Sequence, residues 1–102
     1  MTEPQVGALI DQQDWRFAKT MPEWPHWYCL RKNAPNPQGF EALAQHIVEA
    51  GYRAEFRPER REAWAIRRYL DVGDFHYWIM DDTPAEATLI NRARHPNVAV
   101  RL

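Results

Sequence analysis

Residues 63–80 read Ala63-Trp64-Ala65-Ile66-Arg67-Arg68-Tyr69-Leu70-Asp71-Val72-Gly73-Asp74-Phe75-His76-Tyr77-Trp78-Ile79-Met80. Gly73-Asp74 between two alternating runs is a tight-hairpin signal, because a two-residue turn needs a residue that tolerates positive φ. The first run sets Trp64, Ile66, Leu70 and Val72 on one side, with Ala65, Arg67 and Tyr69 on the other. The second sets Phe75, Tyr77 and Ile79 against His76, Trp78 and Met80. A sheet with one face in water alternates apolar with plainly polar residues. Here both sides carry rings, so the second face calls for a cover: the chain's own ends, a second subunit in a homodimer, or a ligand.

Upstream of the hairpin, Phe40, Leu43, Ala44, Ile47 and Val48 recur at i, i+3, i+4, i+7 and i+8, the apolar stripe of a helix. Asn36 as cap with Pro37 at the first helical position starts it, and Gly51 in the left-handed conformation ends it. Its polar face (Glu41, Gln45, His46, Glu49) is expected to look at water. Alternation predicts strands over 14–20, 27–32 and 52–57, with prolines 22 and 25 separating the first two. Residues 1–13 show no clear period and are expected to form a loose arm or one short helical turn.

Two readings compete over 84–94. Thr83-Pro84-Ala85-Glu86 is a capping box that could open a helix ended by His95-Pro96. Thr88-Leu89-Ile90-Asn91 could instead extend the sheet, and the scarcity of apolar residues on a helical wheel there favours the strand. Val98-Ala99-Val100 alternates and is expected as a short edge strand or as a pairing element for another copy. The sum is one α+β domain over residues 1–102, with an antiparallel or mixed sheet of five or six strands packed on one principal helix.

Composition narrows the function classes. The chain has 102 residues, 45% hydrophobic and 26% charged, enough for a single core and unlike a disordered segment. No apolar run approaches the roughly 18 residues that cross a bilayer, and the N-terminus lacks the pattern of a secretory signal. A lone Cys29 cannot form an internal disulfide, so the expected location is the cytoplasm. With net charge −1, bulk electrostatics do not draw the chain to DNA or to a membrane. Yet eleven arginines stand against only Lys19 and Lys32, and there are five tryptophans. Arginine offers a planar fork for phosphates, carboxylates and stacking.

The densest stretch is Phe17-Ala18-Lys19-Thr20-Met21-Pro22, followed by Pro25-His26-Trp27-Tyr28-Cys29-Leu30-Arg31. It resembles small bacterial and phage proteins of uncharacterised function that open with Phe-Ala-Lys-Thr-Met-Pro…Pro-His-x-Tyr. Those proteins also carry a Tyr-Trp hairpin and a closing Ile-Asn-Arg, matched here by Tyr77-Trp78 and Ile90-Asn91-Arg92. The resemblance spans most of the chain and implies no particular activity.

Cation forks beside flat rings are what nucleotides and single-stranded nucleic acids require. The leading expectation is therefore a small binding protein for a nucleotide or nucleic-acid segment. Arg31 and Arg92 would hold phosphate, Tyr28 and Trp78 would stack, and His26 and Asn91 would complete the pocket. A second expectation is a small enzyme on a phosphate- or nucleotide-bearing substrate, with His26 as acid or base. A third is a phage-type module whose aromatic face binds a protein. Blander readings stand beside each: His26 as a loop histidine bonded to backbone, the arginines as surface ion pairs, Trp78 as core. His26-x-x-Cys29 has metal-like spacing, but no second pair of ligands accompanies it, so no metal or cofactor is expected. A glycine-rich phosphate loop is lacking, and the chain has no serine.

Overall fold

A computed structural model describes residues 4–20, 26–32, 39–61, 66–81 and 85–100. The expected helix start at Asn36-Pro37, the proline interruption at 22–25, the side taken by Trp64, and Thr83-Pro84 lie outside these residues. In chain order the elements are α1 (Pro4–Gln12), β1 (Trp15–Thr20), β2 (Trp27–Lys32), α2 (Gly39–Glu49), β3 (Ala54–Phe56), β4 (Arg60–Arg61), β5 (Ile66–Val72), β6 (Phe75–Asp81), α3 (Ala85–Arg94) and β7 (Ala99–Val100). The fold is α+β. The sheet order is β1-β2-β6-β5-β3-β7, with β4 also on β5. β3 and β4 pair with opposite ends of β5, with Pro58 between them, so seven strands fill six positions. β2 runs parallel to β6 and β3 to β7, while the remaining pairs are antiparallel, which makes the sheet mixed.

The Gly73-Asp74 hairpin closes with Val72 opposite Phe75, and Gly73 sits at φ 58°. Gly51 follows α2 at φ 99°, the left-handed conformation that ends a helix. The α2 stripe is buried as its spacing requires, with Phe40, Leu43, Ala44 and Ile47 in one core with Tyr28, Leu30, Leu70, Val72, Tyr77 and Ile79 of the sheet. The edge strand at the C-terminus is present as β7, beside β3. No helix among the described residues is long and apolar enough to cross a membrane.

Three expectations are corrected. Residues 4–12 form a helix rather than a loose arm or a single turn. Val6 and Ile10, four apart, are fully buried, and Gln12 Oε1 lies 3.0 Å from His46 Nε2 on α2. Val6, Leu9 and Ile10 make a single i, i+3, i+4 step beside Gly7, too short a run to reveal that period. Residues 85–94 form a helix, not the favoured strand. Among its described side chains the buried ones, Thr88 and Asn91, are polar, while Leu89 and Ile90 are 63% and 52% exposed. Apolar spacing therefore gives no sign of a helix whose described buried side chains are polar. Glu41, placed on the watery face of α2, is fully buried. At about 100° per residue it lies only about 20° beyond Val48, at the edge of the apolar stripe. There it meets the guanidinium of Arg68, which is 2% exposed.

The chain's ends bear on the two-sided sheet. Val6 and Ile10 join the core on the inner face, and β7 extends the sheet edge. Arg92 of α3 lies against Phe56, also an inner-face residue. All three helices therefore lie on one side, and neither described end covers the other.

Candidate functional site

Register sets out what that outer face carries. Arg16 stands opposite Arg31, and Arg67 stands between Met80 and Arg60. Extending the parallel β2–β6 register from the Cys29–Trp78 pair by two residues levels Arg31 with Met80. One line across the face thus reads Arg16, Arg31, Met80, Arg67, Arg60. The next reads Cys29, Trp78, Tyr69, and the third reads Trp27, His76, Asp71, Glu55. Arg16 and Arg31 are exposed and make no ion pair among the described residues. Like charges placed directly opposite across strands repel.

The rings are tied to these cations. The Arg67 guanidinium lies 4.8 Å from the centre of the Trp78 ring, and that of Arg57 lies 5.3 Å from Trp27. Trp27 stacks on His76 at 4.6 Å and meets the edge of Tyr69 at 6.1 Å. Asp71 joins both neighbours, with Oδ1 2.6 Å from His76 Nδ1 and Oδ2 accepting from Arg57 Nε at 2.6 Å. A carboxylate on Nδ1 fixes the ring's orientation and leaves Nε2 as the second nitrogen.

β2 and β6 pair at only three positions, ending at Cys29 with Trp78. Beyond that pair a cleft of about 590 Å³ opens. Leu30, Arg31 and Lys32 form one wall, and Trp78, Ile79 and Met80 the other.

The six residues singled out in the sequence do not form one site. Arg31 and Trp78 share the cleft. His26 is exposed at the opposite end of β2, five residues and so roughly 16 Å from Arg31 along an extended strand. It holds φ 69° and packs edge-on against Phe75 at 5.1 Å. Asn91 and Arg92 lie on α3, behind the sheet; Asn91 is buried, and Arg92 donates to Glu59 Oε1 at 2.6 Å. Tyr28 belongs to the core, stacked on Tyr77 at 5.6 Å.

Sequence reading missed Asp71, His76 and Arg57. The signal for the first two was present, because a two-residue turn at Gly73-Asp74 puts Asp71 opposite His76. Arg16 and Arg67 were missed because the line they form depends on strands β2 and β6, far apart in sequence, being neighbours.

Burial raises the Tyr28 phenol above its ordinary value of 10.0. A phenol that keeps its proton more tightly when folded has no effect on stability at neutral pH. It costs stability as pH climbs past about 10, where the unfolded chain ionises first. Its hydroxyl finds no hydrogen-bond partner among the described residues. Tyr28→Phe is therefore expected to reduce the alkaline loss and to leave stability at neutral pH unchanged or higher. Urea melts of both proteins at about pH 7 and about pH 11 check this; equal alkaline sensitivity would assign the loss to another group.

No family model, curated protein or solved structure matches the chain.

Proposed function

We propose that this protein binds single-stranded nucleic acid on the outer face of its sheet. One observation carries the reading: a face with none of the three helices on it bears Trp27, Tyr69 and Trp78 beside a line of four arginines. Bases stack on aromatic rings and on guanidinium planes, and the phosphates between them are met by cations. The Arg67–Trp78 pair offers both in one place. A net charge of −1 means that attraction is local to this face rather than spread over the molecule. The cytoplasm, where such strands occur, is the proposed location.

Titrating the protein with oligothymidylate, followed by tryptophan fluorescence, tests the reading. Saturable binding that weakens with salt is expected, with weaker binding to a duplex of equal length. Trp78→Ala should lower affinity roughly tenfold, the scale of one lost stacking contact. No binding at low salt would end the proposal.

The Asp71–His76 pair favours a second reading, in which a bound ribonucleotide strand is also cleaved. His76 would then take the role first given to His26, with Asp71 orienting it and Arg57 holding Asp71. Cleavage of an oligoribonucleotide that His76→Ala abolishes, with oligothymidylate binding intact, is the expected result under this reading. Uncut RNA after prolonged incubation would leave binding alone.

A further inference from the structure

We propose that the cleft between β2 and β6 takes one unstacked base of the bound strand, with the flanking phosphates on the arginines to either side. This rests on the outer-face reading and adds the place where a base enters the sheet. The β2–β6 ladder stops at Cys29–Trp78, although each strand continues for three residues beyond that pair. The resulting space of about 590 Å³ lies within the range of roughly 300–1,000 Å³ found for small-molecule pockets. The cleft also interrupts the arginine line, with Arg16 and Arg31 before it and Arg67 after it. A strand following that line must cross the gap, and it has a cation for the phosphate on each side. The walls suit a flat ring, because Trp78 supplies a face and Met80 a polarisable side chain. With no ladder pair registered beyond Cys29 and Trp78, both strand edges bring backbone N–H and C=O groups to the edge of a base.

Cys29 lies where the walls meet and is the chain's one cysteine. N-ethylmaleimide can therefore block the cleft in the folded protein, and Cys29→Met narrows it without a reagent. Binding is measured for oligothymidylate, for an abasic phosphodiester chain of equal length, and for thymidine 5′-monophosphate. The untreated protein should prefer the base-bearing strand to the abasic chain by roughly tenfold. The alkylated protein and Cys29→Met should lose most of that preference, keeping only what stacking on Trp27 and Tyr69, outside the cleft, supplies. A monophosphate that binds as tightly as the strand would assign the slot to a free nucleotide rather than to a nucleotide within a chain.

If the blocked protein and Cys29→Met both retain the full preference, the bases bind elsewhere and the slot is wrong. Equal binding of both chains by the untreated protein also overturns the slot, yet leaves the arginine line as a phosphate track. No binding of either chain removes the slot and the outer-face reading together.

Discussion

Glu41→Ala is expected to destabilise the protein by about 3–5 kcal/mol, the cost of breaking a buried ion pair by removing one partner. Arg68 points inward from β5 and donates to both carboxylate oxygens of Glu41, with Nη1 to Oε2 at 3.3 Å. Its guanidinium lies 5.4 Å from the Phe40 ring centre and 5.7 Å from that of Phe56. Removing the carboxylate takes from this buried cation the acid that both of its Nη groups meet. A second acid, Glu59, lies 3.4 Å from Arg68 Nε, but its side chain is 26% exposed and is shared with Arg92. Against a typical stability of about 5–15 kcal/mol, that loss is large. Replacing both partners with apolar residues, as in Glu41→Leu with Arg68→Met, removes the uncompensated charge. That double variant should be near neutral or stabilising. Urea midpoints of the three proteins check the pattern; a Glu41→Ala protein within about 1 kcal/mol of the parent would show that water reaches Arg68.

The same pair shows what could be read in advance. Alternation along 63–72 placed Ile66, Leu70 and Val72 inward, and the position between them belongs to Arg68, which that grouping passed over. An inward arginine demands a buried acid, and Glu41 borders the α2 stripe, so the pair was legible in principle. Helix α2, the Gly73 hairpin and a second face bearing rings followed from local spacing alone. Helix α3 did not, because the described side chains that it turns to the core, Thr88 and Asn91, are polar and leave no apolar spacing to read. For the candidate site, Arg31 and Trp78 were found through their own strands. Gathering Arg31 and Arg92 into one pocket failed because no local pattern says on which side of the sheet a helix returns.

Replacing Arg16 and Arg31 together with alanine is expected to weaken oligothymidylate binding by roughly 60-fold at 50 mM salt and roughly tenfold at 200 mM. These figures follow if each arginine neutralises one phosphate and releases about 0.7 counterion. The slope of log affinity against log salt should fall by about 1.4 in the same experiment. The folded protein itself should not suffer. The two side chains are exposed and oppose each other across β1 and β2, so their removal relieves repulsion and leaves the melting temperature unchanged or slightly higher. Loss of binding at undiminished stability separates a functional pair from a structural one. An unchanged salt slope in a folded double variant would place the phosphates elsewhere.

The three-pair junction of β2 with β6 makes the sheet mechanically unequal. β5 and β6 are stitched at seven registered positions, so the hairpin carrying Arg67 and Trp78 behaves as one plate. The β1–β2 hairpin, carrying Arg16 and Arg31, meets that plate along a short seam. Any change of tilt between the halves is concentrated at this seam, and it alters the spacing between the two groups of positive charge before it disturbs either group internally.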